Sequence, residues 1–238
     1  MLEWNDTFVD WQVDRFRATL EDRQRAVRGI VDRTVECVAI DGPLRRGLDV
    51  IGRYRVAEKL LTRRLQPLIG KPGQSSSPVG RLLNENANLC ALEALSTGCV
   101  RPAAHSVAID EFAIVEAFPS SFLGVLLAKP QEVRARRGDR SDTFFEMLAD
   151  TALTALLNEL LPSRELRRPF SAATNHDDRA AIVCAMTALC VAEGRYSAVG
   201  DDDGWIILPP RPFLQPWASD LIEANGRDSD ARPPLFVQ

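Results

Sequence analysis

Four carboxylates stand where a cation could be held. Asp41 ends the apolar run Val38-Ala39-Ile40-Asp41-Gly42-Pro43, and Glu116 lies inside Phe112-Ala113-Ile114-Val115-Glu116-Ala117-Phe118. Asp177 and Asp178 open a segment whose continuation, from Ala180 to Ala192, is polar only at Thr187. Carboxylates gathered at one place repel each other unless a cation or shared protons compensate. Two divalent ions roughly 4 Å apart do so in phosphodiester hydrolysis, where they activate a water and steady the leaving oxygen. The chain has two histidines and five cysteines, the latter widely spaced in apolar surroundings, so a metal site must use oxygen donors. That donor set suits a hard divalent cation. Each residue also has a plainer role: Asp41 starting the turn at Gly42-Pro43, Glu116 pairing with an arginine, and Asp177 or Asp178 capping the helix they precede.

Cationic and hydroxyl groups that could meet phosphates come from two loop-like stretches. Lys71 and Ser75 belong to Gly70-Lys71-Pro72-Gly73-Gln74-Ser75-Ser76-Ser77, which departs from a phosphate-binding loop because Pro72 stands where Ser or Thr would be and removes an amide. Lys129, Arg134, Arg136, Arg137 and Arg140 are grouped with only Glu132 and Asp139 as acids between them. Lys71, Ser75, Lys129, Arg137 and Arg140 are therefore the substrate-binding candidates, with a solvated loop as the plain reading of the basic run. No G-x-S-x-G pattern surrounds a serine, so a hydrolase nucleophile has no support.

The elements that would position these groups alternate between strand and helix. Residues 2–13 read as one or two short strands, 15–31 as an exposed amphipathic helix, and 35–40 as a buried strand ended by Asp41-Gly42-Pro43. Residues 48–68 and 79–95 read as helices, 112–118 as a strand, and 122–128 as a helix capped by Ser120-Ser121. A long helix over 142–161 is capped by Ser141, and the alanine-rich helix from Asp178 stops at Gly194. That helix is hydrophobic on all sides and must be packed on most of them. A last strand covers 205–208, and the proline-rich residues 211–238 read as an extended tail after a single domain over 1–210. Such alternation predicts an α/β layered fold with a mostly parallel central sheet flanked by helices. Ligands of such sheets sit beyond the carboxyl ends of the strands, where Asp41 and Glu116 fall.

Composition narrows the class. With 238 residues, 45% of them hydrophobic, and a net charge of −4, the chain can bury a substantial core and does not bind polyanions over its whole surface. The opening residues 1–6 have neither the basic start nor the apolar core of a signal peptide, and no run is long enough to span a bilayer, which predicts a cytoplasmic protein without a membrane partner.

Four segments, in order, resemble the DUF429 family: Val38-Ala39-Ile40-Asp41-Gly42-Pro43-Leu44, Ile114-Val115-Glu116-Ala117-Phe118-Pro119, Asp177-Asp178-Arg179-Ala180-Ala181-Ile182, and Gly204-Trp205-Ile206-Ile207-Leu208-Pro209. The resemblance implies a ribonuclease H-like fold and a metal-dependent nuclease, with Asp41, Glu116 and Asp178 catalytic and Asp41, Glu116, Asp177 and Asp178 around Mg²⁺ or Mn²⁺. The family opens with a strand bearing Gly-x-Asp, whose Asp ligates the metal, and nothing before Val35 matches it. This departure supports a second expectation, a non-catalytic binding or assembly module of the same fold. The sheet edge that the missing strand would cover must then be met by residues 2–13 or by another subunit. Nucleic acid and a homo-oligomer are the partners expected under these readings.

Overall fold

The computed structural model describes residues 1–238 apart from 18, 32–34, 53, 71–76, 103–108, 110–112, 134–139 and 229–238. In chain order the elements are β1 (Leu2–Trp4), β2 (Phe8–Trp11), α1 (Leu20–Val31), β3 (Val38–Asp41), α2 (Val56–Leu61), α3 (Gln66–Ile69), α4 (Pro78–Ser96), β4 (Arg101–Pro102), β5 (Ala113–Ala117) and α5 (Pro119–Gly124). There follow α6 (Arg140–Leu148), a π-helical segment Ala149–Leu153, α7 (Thr154–Leu160), β6 (Glu165–Leu166), α8 (His176–Ala192), β7 (Ser197–Asp201), β8 (Gly204–Leu208) and α9 (Pro216–Arg227).

The strands form two sheets, and both are mixed. β1, β2 and β6 make the smaller one, with β1 and β2 antiparallel and β6 parallel to β2. The Asn5 side chain shapes its hairpin by accepting from the Thr7 and Phe8 amides at 2.9 and 3.1 Å. The Trp11 indole donates to the Arg168 carbonyl at 2.9 Å and ties this sheet to the segment after β6. In the larger sheet the order is β3-β5-β8-β7, with β4 also beside β5. Its pairings are parallel except β7–β8, which only Asp202 and Asp203 connect. So short a link can only reverse the chain, which is why the expected mostly parallel sheet is mixed instead.

Register divides the larger sheet into two faces. Val38 pairs with Ile114 and Ile40 with Glu116, while Ala39 pairs with Val115 and Asp41 with Ala117. Side chains alternate along a strand, so Val38, Ile40, Ile114 and Glu116 share one face and Ala39, Asp41, Val115 and Ala117 the other. On the first face α4 lays Ala87, Ala91 and Ala94 against Val38, Ile40 and Ile114. The second face is covered by α8 and belongs to the main core, which also takes in α5, α6 and α7.

Several helices differ from the sequence reading, each for an identifiable reason. Residues 49–52 and 54–55 are not helical, because the α4 asparagines hold that stretch open: Asn84 accepts from the Ile51 amide at 3.0 Å and donates to the Pro43 carbonyl at 2.8 Å. α2 and α3 are then separated by Arg63, whose φ is +50°. Pro119, not the serine pair, begins α5, and Ser120 lies inside it, donating to the Ile69 carbonyl at 2.7 Å. Similarly, α6 starts at Arg140 and includes Ser141. The expected proline-rich tail contains α9, whose Pro216 occupies a first-turn position that needs no amide. α9 buries Ala218 and Ile222, and Asn225 donates to the Leu60 and Thr62 carbonyls at the end of α2. Among the described residues no helix is long and apolar enough to cross a membrane.

Candidate functional site

The carboxyl ends of β3 and β5 carry Asp41 and Glu116, as the sequence implies, but on opposite faces of the sheet. Glu116 is 5% exposed and held by a guanidinium. Arg55, the residue before α2, is 1% exposed and clasps Glu116 at both oxygens, Nη1 to Oε2 at 2.7 Å and Nη2 to Oε1 at 2.9 Å. The Leu44 amide adds a bond to Oε2 at 2.8 Å. Arg55 also donates from Nε to Glu58 Oε1 at 3.1 Å and from Nη1 to the Leu44 carbonyl. This fork-to-fork geometry is the strongest pairing a carboxylate makes with a side chain. Burial pushes the Glu116 pKa upward, and Arg55 and the Leu44 amide pull against it. For Arg55, burial acts to lower the pKa, and Glu116 and Glu58 outweigh it so that the guanidinium stays charged.

Gly204 makes room for this cluster. It has φ +147°, and a Cβ there would lie 2.7 Å from the Leu44 carbonyl oxygen and 2.8 Å from Arg55 Nη1. Only glycine satisfies both the backbone angle and the close approach. Arg55, Glu58 and Gly204 are thus the residues that decide the state of Glu116. Arg55 was legible only as Arg-x-x-Glu at a helix start, where the Glu58 carboxylate reaches back to the Arg55 amide at 3.3 Å.

On the other face, Asp41 is exposed at the end of β3 and lies beside Cys184 of α8. Burial raises the Cys184 thiol well above the usual cysteine value, and the Asp41 charge adds to that shift. Asp177 and Asp178 sit in the first turn of α8, and the cap is the preceding Asn175, which accepts from the Asp177 amide at 2.8 Å. Asp178 is engaged by Arg15 through two bonds of 3.0 and 2.8 Å, which lower its pKa. Its position precedes Cys184 by six residues, about 9 Å along the helix axis. The expected convergence of Asp41, Glu116 and Asp178 therefore does not occur: Glu116 is on the far face, and Asp178 is a turn and a half from the residue beside Asp41. Among the described residues there is no group of three or more His, Cys, Asp or Glu side chains placed to hold a metal ion.

Of the five expected phosphate-binding residues, two are described, and each is engaged within the chain. Lys129 is exposed and pairs with Glu132 at 3.1 Å, and Arg140 at the start of α6 donates to the Pro67 carbonyl at 2.6 Å. Lys71, Ser75 and Arg137 lie outside the described residues.

A cleft of about 860 Å³ opens between β1, β3 and α8. Its walls include Trp4, Cys37 and Ala39, and its floor is the stripe Ala181, Ala185 and Ala188 of α8. These alanines are half-buried, so α8 is not enclosed on this side as its composition suggested. In comparisons with known proteins, the chain matches no family model, no curated protein and no solved structure.

Proposed function

We propose that this chain is a non-catalytic binding or assembly module with a layered α/β core. One observation carries the reading: both oxygens of Glu116 are taken by Arg55, so the charge that a divalent ion would neutralise already has its counter-ion. A buried bidentate pair with an amide on one oxygen leaves no inexpensive route for a metal, since moving Arg55 away would also break its bond to Glu58. The cleft beside β3 is of ordinary ligand-site volume and gives such a module a surface for binding.

A metal-dependent nuclease is the second reading, in which Mg²⁺ or Mn²⁺ is held without Glu116. What favours it is that Asp41 projects from the face of the sheet covered by α8, the helix headed by Asp177 and Asp178. A calorimetric Mn²⁺ titration of the wild-type chain and of Asp41→Asn separates the two. The module produces no saturable heat in either protein. Saturable binding that Asp41→Asn abolishes would favour the nuclease and justify a search for a nucleic-acid substrate.

A further inference from the structure

Helix α4 is apolar on two sides. Its inner side, with Ala87, Ala91 and Ala94, packs on β3 and β5. Away from it, Val79, Leu82, Leu89 and Leu92 are 69, 59, 42 and 52% exposed. Val79, Leu82, Asn86, Leu89 and Glu93 follow one another at spacings of three and four residues, the pattern of a helix seam that packs against another helix. Among the described residues α4 is held by the sheet on its inner side and by α1 beside it, and neither contact uses Leu82 or Leu89 as a buried residue.

We propose that the seam docks a second copy of this chain, α4 against α4, antiparallel about a two-fold axis passing between Glu85 and Asn86. In that arrangement Leu82 meets the partner's Leu89, and Val79 and the partner's Leu92 come level on the two edges of the contact, so the patch is self-complementary, as a two-fold contact requires. Glu85 faces the partner's Asn86, a carboxylate opposite an amide donor. Glu93 comes to the start of the partner's helix, where the dipole favours an acid. A parallel pairing would instead set Glu93 against the partner's Glu93, which like-charge repulsion opposes. The four side chains expose on the order of 400 Å² per copy, so pairing covers up to about 800 Å² in all, the small size of a weak, transient dimer. This docking face lies on the side of the sheet away from α8, so it is independent of the fate of Asp41 and of the metal question.

Sedimentation equilibrium on the full chain tests it. As concentration rises from about 1 to 100 µM, the range in which a weak dimer forms, the wild-type mass should climb from 26.4 kDa toward twice that value. Met147→Gln, an equally exposed apolar residue on α6, should behave like wild type. The double variant Leu82→Gln/Leu89→Gln should stay at the monomer mass with an unchanged melting midpoint. If that variant folds poorly, the near-isosteric Asn86→Asp decides, because it sets a carboxylate against the partner's Glu85 and should weaken association at least about tenfold. A wild-type chain that remains monomeric throughout, or variants that associate as well as wild type, would overturn the proposal.

Discussion

Asp41 and Glu116 end neighbouring parallel strands and project from opposite faces of the same sheet, because Asp41 pairs with Ala117 and Glu116 with Ile40. The consequence is chemical. Glu116 enters the layer beneath α4, where Arg55 and the Leu44 amide receive it, and Asp41 stays exposed on the α8 side, beside Cys184.

Arg55→Ala should be among the most damaging single changes in the chain. It leaves Glu116, 5% exposed, without the guanidinium that clasps both its oxygens. Removing one partner of a buried pair costs about 3–5 kcal/mol. Glu116→Gln, which keeps an acceptor for the Leu44 amide and removes the charge, should cost less. Urea denaturation of the two variants checks the order, and equal or reversed losses would show that Arg55 does not neutralise a buried carboxylate cluster.

The pH response of Asp178 follows from its bond to Arg15. Its folded pKa is lowered, so the ion pair contributes stability that is fully present above the unfolded value of about 3.9 and is lost as pH falls through the lower folded value. A carboxyl-detected NMR titration should find Asp178 below the ordinary aspartate range in the wild type and shifted upward in Arg15→Gln. No change between the two would mean that the pair does not persist in solution.

The thiol of Cys37 is pushed up to about 12 by burial. At pH 8 roughly one molecule in ten thousand then carries the thiolate, the form that reacts. Iodoacetamide should leave Cys37 unmodified in the folded protein and label it rapidly in urea, as peptide mass mapping would reveal. Prompt labelling of Cys37 without denaturant would show that its thiol, half-buried at the cleft wall, is not held protonated as described.

Ala185→Leu distinguishes a helix enclosed on all sides from one that borders a cleft. An enclosed helix would lose about 1–3 kcal/mol through overpacking. Since Ala185 is half-buried on the cleft floor, the added atoms have space, and the melting midpoint should hardly move. A large drop would place this face of α8 in tight contact with another part of the chain.

Much of the core was legible in residue types. Ala-Ile-Asp-Gly-Pro ends a strand because glycine and proline cannot continue it, and the run around Glu116 is too apolar to be anything but interior. What could not be read was the register between two strands separated by some seventy residues, since a shift of one residue exchanges the faces and nothing local to Asp41 or Glu116 encodes it. Arg55 was hidden for a related reason. Residues 48–68 have helical periodicity, but Asn84 and Asn88 of α4 draw the first part of that segment into an extended path and turn Arg55 inward. Local propensity loses there to side-chain hydrogen bonds from a helix that comes later in the chain. α9 escaped because its prolines read as breakers, although Pro216 starts the helix.

The central claim is that Arg55, and not a metal, neutralises Glu116. Crystals soaked in Mn²⁺ and measured at the manganese absorption edge test it most directly. The account predicts no anomalous peak at Glu116, with both Arg55 bonds intact at 2.7 and 2.9 Å. A manganese peak on the Glu116 carboxylate with Arg55 displaced from it would contradict it.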